Sequence, residues 1–139
     1  MIFVCGAICS GKTRYGKILA KGLGVEFVEA SSIVKDILHT NLRVNLQGNP
    51  QLNINIIERL QQCSSDCVVG GVRQQSILEA FPGSSLVWLE VSQDTRFKRC
   101  MERQDKKDIM SWEAFEQAEK KDNDLGLLAV KEFILNRNN

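Results

Sequence analysis

The chain has 139 residues and a formal net charge of +1, which suits one domain and gives no global pull towards nucleic acid or an anionic membrane surface. Hydrophobic residues at 43%, charged residues at 25% and only 2 prolines describe a globular chain, neither disordered nor fibrous. Aromatics at 6% are too few for a surface that stacks on single strands, and no apolar run reaches membrane-spanning length.

The apolar start, residues 1–9, lacks a charged leader region and reads as a buried strand rather than a signal peptide. It runs into Gly6, Ala7, Ile8, Cys9, Ser10, Gly11, Lys12 and Thr13, a G-x-x-x-x-G-K-T pattern between a β-prone stretch and an amphipathic helix. That helix has Ile18, Leu19 and Leu23 on one face and closes at Gly24. Gly6 and Gly11 let the backbone wrap a polyphosphate, whose charge the loop N–H groups and the helix N-terminus attract. Lys12 then reaches the β- and γ-phosphates, and Thr13 offers a hydroxyl to Mg²⁺. The pattern in this context predicts binding of a nucleoside triphosphate, ATP with Mg²⁺.

A second strand is predicted over 25–28, then a helix over 33–38 capped by Ser31 and Ser32. Residues 39–50 read as irregular, with His39, the only histidine, a helix-end residue rather than a catalyst. A helix over 52–62 follows, then a short buried strand over 67–72, Arg73-Gln74-Gln75, a helix over 76–81 and a turn at Pro82-Gly83. A fourth strand is predicted over 86–91 and helices over 93–102 and 112–121, the latter capped by Ser111. A last helix over 127–131 and a fifth strand at Phe133, Ile134 and Leu135 complete the reading. Strands alternating with helices imply a single α/β domain, 1–139, whose parallel sheet is covered on both faces and takes ligands at the carboxyl ends of its strands.

There are five cysteines, and Cys5 with Cys9 and Cys63 with Cys67 are each four apart, a spacing that raises a zinc site. Cys5 lies inside the first strand and Cys9 inside the phosphate loop, so free, reduced thiols in a cytoplasmic protein are the preferred reading.

The chain resembles the small P-loop kinases of the nucleoside-monophosphate-kinase type, among them archaeal proteins related to dephospho-CoA kinase and phage deoxynucleoside monophosphate kinases. Beyond the loop, Val68-Val69-Gly70-Gly71-Val72-Arg73 resembles the family's hydrophobic-Asp-Gly-hydrophobic-Arg strand end. Thr95-Arg96-Phe97-Lys98-Arg99 with Arg103, then Asp108, Ser111-Trp112-Glu113, Phe115, Asp122, Asp124, Leu125 and Gly126, resemble the lid and the helix after it. The resemblance implies a P-loop three-layer sandwich with a five-stranded parallel sheet in the order 2-3-1-4-5, a lid around 99–112, and transfer of the γ-phosphate of ATP. There are departures: Gly70 stands where the family has a strand-end Asp for Mg²⁺-bound water, and Ser32 and Lys35 stand where the archaeal proteins have Asp and Arg. The sequence ends at Asn139, where the family continues with a loop for the nucleotide base and a final helix.

Candidate site residues follow. Arg73, after the third strand, suits a clamp on an acceptor phosphate, the plain alternative being a surface arginine in a turn. Gln74 is a partner for the acceptor base. By resemblance, Lys35 and Arg43 lie in the segment that covers the acceptor, and Gln47 completes an Arg-x-x-Leu-Gln pattern found in phage enzymes. Arg96, Arg99 and Arg103 share one helix face, and Arg99 and Arg103 are placed to neutralise charge on the transferred phosphoryl group, Arg96 lying farther from the lid tip. Glu29 ends the second strand and suits a general base for a hydroxyl, or a holder of metal-bound water in place of the Asp missing at Gly70. The expected function is a kinase acting on a small nucleotide-type acceptor, a (deoxy)nucleoside monophosphate, without membrane attachment. A hydroxyl-directed kinase, such as the phage kinases that phosphorylate hydroxymethyluracil in DNA, is the alternative, and a nucleotide-binding protein without transfer activity the second.

Overall fold

The computed structural model describes residues 1–38, 50–63, 66–103 and 111–139. Strand β1, Ile2–Gly6, feeds the phosphate loop and helix α1, Lys12–Leu23. Gly24, at φ 69°, ends that helix and donates its N–H to the carbonyls of Ala20 and Lys21. Strand β2, Glu26–Glu29, passes directly into α2, Ala30–Leu38, and then come α3, Pro50–Gln61, and β3, Cys67–Gly70. The remaining elements are α4, Gln75–Glu79, β4, Ser85–Leu89, α5, Gln93–Glu102, α6, Trp112–Asp122, and α7, Leu128–Arg137. Between the last two lies a wide turn, Asn123–Leu127, where Gly126 leaves helical dihedrals with φ 125°.

The sheet has the order β2-β3-β1-β4, all parallel. Its register sets Gly70 opposite Val4 on one side and Glu29 on the other. Phe3, Cys5 and Val69 point to one face, where Ile33, Leu52, Ile56, Leu60, Ile77, Val130 and Ile134 cover them from α2, α3, α4 and α7. Val4 and Val68 point to the other face, against Ala20 of α1. Gly16 permits that approach, because a Cβ there would lie 2.4 Å from the Phe27 ring. A separate apolar cluster, Ile8, Cys9, Cys100 and Phe115, joins the phosphate loop to α5 and α6.

The common strands follow the expected order, but the sheet has four strands among the described residues. Phe133, Ile134 and Leu135 belong to α7 rather than to a fifth strand. The governing spacing is Leu127, Val130 and Ile134, all buried and three or four apart, while Leu135 is 44% exposed. No glycine or proline interrupts 128–137, so the helix runs on where a strand was expected. The end of α7 instead reaches β4 with side chains: Asn138 Nδ2 donates to the Leu86 carbonyl at 3.1 Å, and Arg137 donates to the carbonyls of Pro82 and Ser84. Ser31 and Ser32 likewise lie inside α2 and do not cap it, since burial of Ala30 and Ile33 starts the helix as soon as β2 ends.

Candidate active site

The loop after β1 folds back on itself. A Cβ on Gly6 would lie 2.3 Å from Ser10 Oγ, and the Ser10 N–H donates to the Ala7 carbonyl at 3.1 Å. Cys9 and Gly11 are left-handed, at φ 57° and 87°, and Ser10 lies between them. Such alternation turns successive N–H groups into a concave anion-binding surface, extended by the N–H groups of the first turn of α1. The Ser10 hydroxyl is buried and has no hydrogen-bond partner among the described residues.

Over this loop lies a cavity of about 540 Å³. Its lining includes Lys12, Thr13, Arg14, Lys17, Arg99 and Arg103, with no carboxylate among the described residues that line it. Arg99 Nη1 donates to the Ser10 carbonyl at 3.0 Å, and Arg103 caps the end of α5. The structure therefore brings together Lys12, Thr13, Arg99 and Arg103 from loop and helix, which is chemistry for a polyanion.

Glu29 joins them from β2. The Thr13 hydroxyl donates to Glu29 Oε2 at 3.1 Å. The carboxylate fills space that the two strand-end glycines leave free: a Cβ on Gly71 would lie 2.7 Å from Glu29 Oε1, and one on Gly70 3.6 Å from Oε2. A carboxylate thus stands beside the end of β3, supplied by the neighbouring strand. The divalent cation that P-loop kinases employ takes hard oxygen donors, usually one or two carboxylates together with phosphates and waters. The adjacent hydroxyl and carboxylate of Thr13 and Glu29 fit such an ion.

Other sequence-predicted residues lie elsewhere. Arg73 is half-buried beyond β3 and next to the wide turn, where a Cβ on Gly126 would lie 2.8 Å from its carbonyl oxygen. Gln74 is not open to an acceptor base: it is 7% exposed and its amide donates to the Leu125 carbonyl. Gly126 creates the room for that contact, so Gln74 is a packing tie between β3 and the turn. Lys35 is exposed on α2 and does not line the cationic cavity. Arg43, Gln47 and His39 lie outside the described residues, as do residues 104–110 of the expected lid.

The structure gives Arg96 a role that its place on a basic helix face did not suggest. It is 7% exposed, pairs with Glu119 at 2.5 Å, donates from Nε to the Val91 carbonyl at 3.0 Å and from Nη1 to the Ile8 carbonyl at 3.4 Å. Its guanidinium also lies 5.5 Å from the Phe115 ring centre. Arg96 therefore ties the phosphate loop to the end of β4 and to α6.

The cysteines also differ from expectation. Cys9 of the loop and Cys100 of α5 form a disulfide with a Cα–Cα distance of 5.7 Å, so these two are not free thiols. Cys5, Cys63 and Cys67 are free. Burial pushes the Cys5 thiol up to about 12, against smaller opposing effects of Lys12 and a backbone hydrogen bond from Val72. A thiol so placed is inert core filling.

A family model described as an AAA domain matches residues 2–123. No curated protein matches the sequence. Among solved structures, a shikimate kinase from Acinetobacter baumannii in complex with shikimate is similar with a TM-score of 0.62 and 19% identity, over 98% of this chain and 78% of that one. A gluconokinase from Sinorhizobium meliloti 1021 gives a TM-score of 0.59 and 22% identity, over 87% of this chain and 73% of that one. A shikimate kinase from Bacteroides thetaiotaomicron gives 0.57 and 20%, over 89% and 79%. At these identities the likeness is one of fold. No helix among the described residues is long and apolar enough to cross a membrane.

Proposed function

The chain belongs to the AAA domain family, and on that premise we propose that it is a small P-loop kinase which transfers the γ-phosphate of ATP to a small nucleotide-type acceptor, a (deoxy)nucleoside monophosphate. The observation that carries the reading is the cavity over the phosphate loop, where Lys12, Arg99 and Arg103 converge with no carboxylate among the described lining residues. The loop N–H groups and Lys12 bind and orient the triphosphate. Arg99 and Arg103 lie where charge spreads over the transferring phosphoryl group, and positioning with charge neutralisation is most of what phosphoryl transfer asks of a protein. Mg²⁺, when bound, neutralises phosphate charge; Thr13 and Glu29 would hold it, directly or through water. Arg73 clamps the acceptor phosphate, whose oxygen attacks without a base. Lys35, Arg43 and Gln47 remain proposed acceptor contacts.

A second reading rests on Glu29. Its carboxylate sits beside Thr13 at the mouth of the loop, within reach of a hydroxyl brought to the transferred phosphate. There it would accept the proton of a hydroxyl acceptor on a small molecule or on hydroxymethylated DNA. The gluconokinase and shikimate kinases that share the fold are named for small hydroxyl-bearing compounds, which favours the small molecule. The test is a transfer screen with labelled ATP and Mg²⁺ against nucleoside monophosphates, nucleosides, small hydroxy acids and plain or hydroxymethylated DNA. Label on a monophosphate supports the first reading. Label on a hydroxyl compound alone replaces it with the second. Tight triphosphate binding with no transfer leaves a nucleotide-binding protein without transfer activity.

A further inference from the structure

The disulfide lies in an unusual place. Cys9 is the only described non-glycine residue with a left-handed backbone, at φ 57°. That conformation costs an L-residue about 1–2 kcal/mol, so it persists where its surroundings hold it. Three contacts hold the loop here. Cys9 is bonded to Cys100 across 91 residues of chain. Arg99, the neighbour of Cys100, donates to the carbonyl of Ser10, the neighbour of Cys9. One helical turn earlier, Arg96 donates to the carbonyl of Ile8. Helix α5 thus grips residues 8, 9 and 10 of the phosphate loop in turn, and the covalent grip is on the left-handed one.

Cys9 also lines the cationic cavity, beside Lys12, Arg99 and Arg103. Cys100 is fully buried among Ile8 and Phe115. Cys9, 4% exposed, is the one of the two that borders this cavity among the described residues, so a reagent that reaches the bond from there passes through the triphosphate site. Positive potential there favours an approaching or departing thiolate.

We infer that Cys9 and Cys100 form a thiol–disulfide exchange site that sets the affinity of the phosphate loop: bonded, the loop is held in its anion-binding form; reduced, residue 9 is free to leave it. The reductant is a dithiol. Its first thiolate attacks Cys9 Sγ, a mixed disulfide forms, and Cys100 departs as a thiolate that takes up a proton. The second thiolate then attacks the reductant's own sulfur in the mixed disulfide and releases Cys9 as a thiol. Two electrons pass to the protein, and the dithiol leaves as a disulfide. A low-molecular-weight disulfide reverses the sequence by exchange first at Cys9, with Cys100 displacing the mixed partner. This inference rests on the loop being a triphosphate site. It adds reciprocity: whatever factor reduction takes from triphosphate affinity, bound triphosphate adds to the resistance of the bond.

The experiment uses the full chain, oxidised with glutathione disulfide or reduced with dithiothreitol, its thiols counted by alkylation and mass spectrometry. The Kd of the imido analogue of ATP with Mg²⁺ is measured by calorimetry in both states. Reduction should raise Kd about five- to thirty-fold, and reoxidation should restore it. Cys100→Ser should bind like the reduced protein and ignore dithiothreitol, while Cys63→Ser should respond as the parent does. Saturating analogue should slow reduction of the pair. Equal Kd in both states, a Cys100→Ser protein that still responds to dithiothreitol, or Cys9 and Cys100 both alkylated after oxidation would overturn the exchange site while leaving the triphosphate site standing. Absence of analogue binding in either state would overturn the triphosphate site and the switch with it.

Discussion

The Thr13 hydroxyl donates to Glu29 Oε2 at 3.1 Å, which ties the first turn of α1 to the end of β2 and sets a carboxylate beside the phosphate loop. Glu29 is opposite Gly70 in the strand register. One acidic side chain from the outer strand thus stands where the inner strand contributes only glycine.

The loop reading is tested at Lys12. Lys12→Ala should abolish phosphoryl transfer and weaken triphosphate binding by about 2–4 kcal/mol, the value of a charge-assisted contact to a highly charged ligand. Calorimetry and turnover check it. A folded variant with near-parental turnover would remove the basis for the loop's role.

Two variants separate the acceptor classes. For a monophosphate acceptor, Arg73→Ala should lower kcat/KM by about 2–4 kcal/mol through loss of a phosphate partner, and Glu29→Gln should affect chemistry less. For a hydroxyl acceptor, Glu29→Gln should lower kcat about 10²–10⁴-fold, the worth of a general base, and Arg73→Ala should matter less. Steady-state kinetics with the best acceptor decides. Mn²⁺ affinity of the nucleotide complex, read by electron paramagnetic resonance, reports metal holding by Glu29 apart from base catalysis.

Arg96 is a positioning residue, since its guanidinium meets backbone, Glu119 and Phe115. Arg96→Met leaves Glu119 with the Gln93 amide as donor but no cationic partner, takes one donor from the Ile8 carbonyl, and should destabilise the fold by about 1–3 kcal/mol. Urea denaturation measures this. A loss below about 1 kcal/mol would show that the pair is solvated like a surface one.

Gly126 is required by space and by conformation. At φ 125°, with a Cβ position 2.6 Å from the Gln74 amide and 2.8 Å from the Arg73 carbonyl, Gly126→Ala should cost at least about 1–3 kcal/mol and disturb Arg73. Denaturation midpoints test the first part, and the KM of the acceptor tests the second.

The buried thiol of Cys5 gives a pH signature. Its folded value is about 12 against an ordinary 9.0, so below 9.0 both states are protonated and its contribution is whole. As pH climbs from 9.0 to about 12 the unfolded thiol ionises first, and stability falls, by at most about 1.4 kcal/mol per pH unit. The other groups titrate in Cys5→Ala as well. The stability advantage of the parent over Cys5→Ala should therefore narrow through that range; a pH-independent difference would contradict the burial of this thiol.

The phosphate loop was legible because its tight course between a strand and a helix needs glycine at Gly6, against Ser10, and at Gly11, at φ 87°, which imposes spacing on sequence. The first four strands were legible from short β-prone runs between helical patterns. The segment at Phe133 was not, since three apolar residues in a row suit a strand and a buried helix equally, and only the tertiary contacts of Val130 and Ile134 decide. Arg96 looked like its solvated neighbours because burial on one helix face has no mark in the charge pattern. The Cys9–Cys100 bond joins residues 91 apart, and no local spacing could announce it. The partner of the Gln74 amide was hidden for a similar reason: Leu125 lies in a turn that only the fold brings near.

The meeting of α7 with β4 bears on how copies of this protein behave towards one another. A sheet's last strand ordinarily displays a row of unmatched backbone groups, a template onto which another chain can zip. Here, among the described residues, Asn138 occupies the carbonyl of Leu86 on that strand, and Arg137 those of Pro82 and Ser84 in the turn that leads into it. Crowded solutions of the protein should therefore resist filament growth from this side, and loss of the two polar side chains would expose a sticky seam.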